Sequence, residues 1–127
     1  MTVLEVLTVI RDSLIQASGL SGSAVTLNNP NRAEDKNFCI YAFGFPLQTL
    51  PKPMQKRVYV KIEYRENLKS TAGRQQDTME TCIDLAYRAM RKSIGTISLE
   101  PYQNAIEGRD EKVPDFYLIE WAYEVLY

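Results

Sequence analysis

The sequence predicts an α+β domain, a small, mainly antiparallel or mixed β-sheet with two main helices packed on one face. Three observations predict it. Residues Arg57–Arg65 read RVYVKIEYR, where Val58, Val60, Ile62 and Tyr64 alternate with Arg57, Tyr59, Lys61, Glu63 and Arg65. That is the period-two pattern of a strand with one dry and one wet face. Two stretches, about Thr2–Ser18 and Asp77–Ser93, instead carry apolar residues at helical spacing, and each offers the apolar stripe such a strand needs to lie against. Asp115–Tyr127 alternates again, with Tyr117, Ile119, Trp121, Tyr123 and Val125 opposite Glu120, Ala122 and Glu124. At 127 residues the chain reads as a single domain, 1–127, with long loops near 45–56 and 100–114.

The first helix opens on Thr2-Val3-Leu4-Glu5, a capping box in which the Thr2 hydroxyl accepts from the Glu5 backbone N–H. Val3, Val6, Leu7, Ile10, Leu14 and Ala17 form its stripe, and Gly19 is placed to end it in a left-handed conformation. Leu4, Val9 and Ile15 fall outside the stripe, so either the buried face is wide or a neighbour covers a second one. Ala24–Leu27 fits a short edge strand, and Asn28-Asn29-Pro30-Asn31 is turn chemistry. Asn37–Phe43 (NFCIYAF) is apolar on both faces, as interior strands are. Phe45–Lys56 contains Pro46, Pro51 and Pro53, which bar a central strand or helix interior, together with Leu47, Leu50 and Met54. A loop with such apolar anchors either folds down as a lid or reaches toward a neighbour.

After the Arg57–Arg65 strand, Glu66–Gln76 is polar, and Asp77-Thr78-Met79-Glu80 is a second capping box. Met79, Cys82, Ile83, Ala86 and Met90 line that helix, with acids early and bases late along the dipole, and Gly95 is expected to close it. Thr96–Leu99 reads as a short strand and Pro101–Pro114, with Gly108 and its charged run, as a polar loop. The closing strand then runs to the last residue.

Net charge is −1, too small for a molecule-wide field toward nucleic acid or anionic lipid. The charges are nevertheless unevenly placed. Lys52–Arg74 holds seven bases against Glu63 and Glu66, while Glu100–Tyr127 holds seven acids against Arg109 and Lys112. The simpler reading neutralises them within one sheet, with Glu120 and Glu124 facing Lys61 and Arg57 or Arg65; the other has them meet across a subunit boundary. Aromatics among bases, here Tyr59 and Tyr64, can mark a surface for single-stranded nucleic acid, but Tyr64 falls on the dry face and acids are interleaved.

Chemistry is scarce. There is no histidine, hence no ordinary general base or imidazole metal ligand. Cys39 and Cys82 lie on apolar elements and read as buried thiols, not as a disulfide or zinc site. No phosphate-binding or dinucleotide fingerprint occurs, and no cofactor is expected. Glu107, Asp110 and Glu111 lie beside Arg109 and Lys112 and read as a solvated loop, not a catalytic dyad. Met1–Gly19 lacks the basic start of a signal peptide, and no apolar run approaches the ~18 residues of a membrane span. A reducing, cytosolic setting is the expectation.

The amphipathic first helix, the strand RVYVKIEYR leading into DTMETCIDLAYRAMRKS, and the closing DFYLIEWAYEVLY together resemble the tail terminator (tail completion) proteins of long-tailed phages, the family of lambda-type minor tail protein U. The resemblance is one of element order and pattern across most of the chain. It implies a non-enzymatic virion assembly protein at the head-proximal end of the tail, present in host cytoplasm during assembly. It implies a hexameric ring that caps the tail tube, with the tube protein and a head completion protein as partners. Nucleic acid would only pass through the lumen. On this reading the subunit or tube contacts fall on Leu47, Leu50, Lys52, Met54, Lys56, Lys69, Arg74, Glu107, Arg109, Asp110 and Glu111. A head–tail connector and a small dimeric ligand-binding domain, its pocket under Phe45–Met54, are the alternatives.

Overall fold

The computed structural model describes residues 1–28, 35–45, 56–67, 93–112 and 114–127, without the side chains of residues 17, 18, 93, 94, 102, 104, 105 and 107. A helix, α1 (Val3–Ser18), and a single 3-10 turn (Gly22–Ala24) precede six strands: β1 (Val25–Leu27), β2 (Asn37–Gly44), β3 (Arg57–Asn67), β4 (Ser93–Ile94), β5 (Ile97–Arg109) and β6 (Phe116–Leu126). They form one mixed sheet in the order β1-β2-β3-β6-β5-β4. Only β1 and β2 run parallel; every other pair is antiparallel.

Helix α1 starts and stops where its sequence says. The Glu5 backbone N–H donates to the Thr2 hydroxyl at 3.2 Å, and Gly19 takes φ 69° while its N–H reaches the Ile15 carbonyl. Val6, Leu7, Ile10 and Leu14 are buried, Val9 and Ile15 pack partly against the core, and Leu4 stays exposed, so the buried face is wide on one side only. Arg11 fixes the helix to the sheet: its Nε donates to the Val25 carbonyl at 2.9 Å and its Nη2 to the Gly22 carbonyl at 2.8 Å.

The helix lies against the inner face of the sheet. Val58, Val60, Ile62 and Tyr64 of β3, Phe38 and Ile40 of β2, and Ile119, Trp121, Tyr123 and Val125 of β6 all point into that core. The strand predicted at Arg57–Arg65 is therefore central, with β6 in register along its whole length, Arg57 opposite Leu126 and Asn67 opposite Phe116. Beyond the ladder, Lys56 and Tyr127 exchange two backbone hydrogen bonds of 2.9 Å, so the last residue is held in the sheet.

The expected fold class needs correction. The described chain is mostly β, a six-stranded mixed sheet with one α-helix, and not a small sheet under two helices. Residues 77–92 of the expected second helix lie outside the described residues, as do residues 46–55 of the first long loop. At the expected helix end the structure has strand: Ser93 and Ile94 pair with Ser98 and Ile97. Gly95, with φ 60°, is the first residue of a two-residue hairpin turn and caps no helix. The second long loop is also largely strand. Pro101 and Gly108 suggested a loop, but β5 runs through both and absorbs the missing proline donor with register shifts at Pro101/Gln103 and Gln103/Ile106.

Candidate functional site

Strand alternation sends Cys39 and Tyr41 of β2, Tyr59, Lys61, Glu63 and Arg65 of β3, and Leu118, Glu120, Ala122 and Glu124 of β6 to the outer face, opposite α1. At one end of this face the β5–β6 hairpin bounds a cleft of about 620 Å³. Tyr41, Glu63, Arg65, Leu118 and Glu120 line it from the sheet, and Ile106, Gly108, Arg109, Asp110, Glu111 and Lys112 from β5 and the turn after it.

A chain of charge-assisted bonds forms its floor. The Tyr41 hydroxyl donates to Glu63 Oε1 at 2.8 Å, and Arg65 Nη1 donates to Glu63 Oε2 at 2.9 Å. Arg65 Nε donates to Asp110 Oδ2 at 3.0 Å, and the Lys112 backbone N–H donates to Asp110 Oδ1 at 3.0 Å. The Asp110 N–H in turn reaches the Phe116 carbonyl at 2.8 Å, so the network pins residues 110–112 to the central strand. Glu63, Arg65 and Asp110 are 4, 6 and 7% exposed, so these ions are desolvated and depend on one another.

Burial and partners shift the titrations. Burial works against the Arg65 charge, but the hydrogen bonds and charges of Asp110 and Glu63 outweigh it and raise its pKa. Burial, then the bond to Glu63 and its charge, push the Tyr41 hydroxyl far above the ordinary phenol range. Glu120 stands directly across the ladder from Glu63. Burial raises its pKa, Lys61 opposes that shift with its ammonium 4.0 Å away, and Glu63 adds to it through charge and hydrogen bonding. A separate buried acid, Glu66, lies on the inner face: it is fully buried, its contact with the Tyr64 hydroxyl is a long 3.5 Å, and its Oε2 has no hydrogen bond among the described residues. Burial raises Glu66, partly offset by Lys36, with Asp35 adding to the rise.

The other end of the outer face is aromatic. Phe43 stacks on Tyr59 with centroids 5.6 Å apart, and Lys61 Nζ lies 5.2 Å from the Phe43 centroid. Phe43, Phe45 and Ile106 are 40, 66 and 56% exposed.

Of the residues the sequence singled out, Arg109, Asp110 and Glu111 come together at the cleft. Arg109 and Glu111 are exposed, but Asp110 is no solvated loop residue: it is the inner partner of Arg65. Glu107 sits in β5 opposite Ile119. Lys56 is exposed at the head of β3, its ammonium 6.0 Å from the Tyr127 ring. Leu47, Leu50, Lys52, Met54, Lys69 and Arg74 lie outside the described residues. Tyr41, Glu63, Arg65 and Glu120, which build the floor, are not among the candidate site residues of the sequence, where Arg65 and Glu120 figure only as charges facing across the sheet. Glu63 and Arg65 are two apart on one strand face, an acid–base pair visible in the sequence; that Asp110 completes it is a matter of long-range pairing. Cys39 is a buried thiol, but on the outer face beside Glu63 and outside the apolar core. Among the described residues no group of acids and cysteines is arranged to hold a metal ion.

No family model matches this chain, and no curated protein matches it. Solved structures from Akkermansia muciniphila are similar over 96% of this chain at 9% identity. One is a crystal structure with TM-score 0.44, matched over 75% of its own chain. Another is a core domain with TM-score 0.45 and 84% matched, and a third, solved without its transmembrane region, has TM-score 0.42 and 81% matched. Similarity at that level carries no argument about what this chain does.

Proposed function

We propose that this chain is a structural assembly protein of the phage tail terminator kind, a subunit that closes into a ring on the end of a tail tube and joins it to the head. The reading rests on the resemblance in element order and pattern, and the observation that best supports it is the outer face of the sheet. There Ile106 is exposed at the polar cleft, Phe43 at the other end of the face and Phe45 just beyond β2, an arrangement suited to contact with another protein surface. The polar groups of the cleft floor are engaged in ion pairs that hold a turn in place, which serves shape more than turnover.

The test is mass in solution, by size exclusion with light scattering across protein and salt concentration. The expected result is a hexamer, or closed rings that form on concentration, and weaker assembly with an intact fold when Lys52 and Lys56 are both changed to Glu. A tight dimer at every concentration overturns the ring. That result would favour the small ligand-binding domain instead. The cleft bounded by β5 is the observation that speaks for it, and a thermal shift with metabolites would then reveal the ligand.

A further inference from the structure

We propose that Glu63 and Glu120 form a proton-sharing carboxyl pair that switches the charge of the cleft, with Glu120 carrying the proton and donating to Glu63. The register sets the pair: the two residues are direct partners on adjacent antiparallel strands, on the same face, at the cleft floor. Side chains so placed are in mutual reach, and two full negative charges there repel. Glu63 is committed as an acceptor, since both its oxygens already take hydrogen bonds from Tyr41 and Arg65. The proton therefore belongs on Glu120.

The surroundings of Glu120 agree. From β3 it faces Glu63 and Lys61, whose ammonium is 4.0 Å away, with Arg65 engaged by Glu63 and Asp110. From β5 the residue opposite is Ile106, which brings no charge. Beyond β3 stands Tyr41, itself donating to Glu63. The turn adds Arg109, Asp110, Glu111 and Lys112 around the rim, and Glu124 on the same strand pairs with Arg57 at 3.0 Å. Burial and the Glu63 charge both hold the Glu120 carboxyl above the ordinary range, and Lys61 opposes them.

The consequence is electrostatic. With Glu120 protonated, the cleft is lined by Glu63, Asp110 and Glu111 against Arg65, Arg109 and Lys112, and is balanced. When Glu120 ionises the lining becomes net negative, the facing carboxylates repel across β3 and β6, and the cleft draws cationic groups. The switch belongs to the monomer and stands apart from the ring reading.

Carbon-detected NMR of the glutamate side chains of the full chain, titrated between about pH 3 and pH 9, tests it, with Glu120→Gln assigning the resonance. The expected midpoint for Glu120 lies above the free glutamate value of about 4.3 and moves toward it in Glu63→Gln. Should Glu63→Gln fail to fold, urea unfolding of wild type and Glu120→Gln decides. The unfolding constant of the variant should fall progressively relative to wild type as pH rises from about 4.5 to 8. An ordinary midpoint for Glu120, or unfolding curves that keep a fixed ratio across that range, overturns the pair.

Discussion

Replacing Arg65 with methionine removes the cation that lies between two buried carboxylates while keeping much of the side chain's length. Arg65 bonds Glu63 at 2.9 Å and Asp110 at 3.0 Å, and all three are at least nine-tenths buried. An exposed ion pair would contribute little. Here the loss is of another kind, because the substitution leaves two carboxylates with little solvent and no guanidinium. Breaking a buried pair in this way costs about 3–5 kcal/mol. For a chain of this length, with an unfolding entropy near 2.1 cal/mol/K per residue, that is a fall of roughly 11–19 °C in Tm.

Urea unfolding followed by Trp121 fluorescence and far-UV circular dichroism measures the loss. Trp121 is buried in β6, directly across from Ile62 of β3. Asp110→Asn completes a double-mutant cycle. If the two residues act through their bond, the double variant should lose clearly less than the sum of the single losses, by about 0.5–3 kcal/mol. Arg65→Met within about 1 kcal/mol of wild type, or strict additivity with Asp110→Asn, would refute the claim that this network holds the turn to the sheet.

Glu66→Gln should stabilise the protein at neutral pH by about 1–3 kcal/mol, since it removes a buried, incompletely bonded carboxylate. The folded state raises the Glu66 pKa, so it binds the proton more tightly than the unfolded chain, and wild-type stability falls as pH rises from about 4.3 through the folded value. The advantage of the glutamine variant should therefore grow with pH across that window and be flat below it; a variant less stable than wild type at pH 7 would contradict this. Gly19→Ala meets no atom within 4 Å but must hold φ 69°, so its cost should be purely conformational, about 1 kcal/mol by thermal unfolding. A loss several times larger would mean that the helix end is packed more tightly than the structure has it.

The parts of the fold legible in the sequence are those set by local chemistry or by one strong period. Thr2 and Glu5 cap α1 through contacts within one turn, and the alternation of β3 survives because one of its faces is dry along the whole core. The pairing of β6 with β3 was legible from charge as well: Arg57 meets Glu124, and Lys61 meets Glu120. What was not legible depends on partners far away in sequence. A glycine that ends a helix and one that begins a hairpin carry the same local signal. Gly95 is the latter because Ser93 and Ile94 have Ser98 and Ile97 to pair with. The polar composition of β5 hid a strand whose order comes from the apolar β6 beside it, not from its own alternation. Glu63 and Arg65 looked wetted because polar residues usually are; nothing local foretells that a turn forty-five residues later covers them.

The same contacts bear on the proposed assembly role. The excess of bases in 52–74 and of acids in 100–127 leaves two readings, neutralisation within one sheet, which is the simpler, or complementary poles that meet across a subunit boundary. Arg57, Lys61 and Arg65 find their acids within the chain, at Glu124, Glu120, Glu63 and Asp110. Part of the asymmetry is thus the two sides of one ladder, brought together on folding. On the proposed ring reading, closure would then depend less on long-range attraction than on apolar contact through Phe43, Phe45 and Ile106, exposed on or beside the outer face. Apolar contact is strengthened or left unchanged by salt, whereas contact between charged poles is screened beyond a Debye length of about 8 Å at physiological ionic strength. The salt arm of the light-scattering experiment therefore separates the two. Rings that persist at high salt fit a sheet whose charges are already paired, and rings that dissolve there would return the burden to Lys52, Lys56, Lys69 and Arg74.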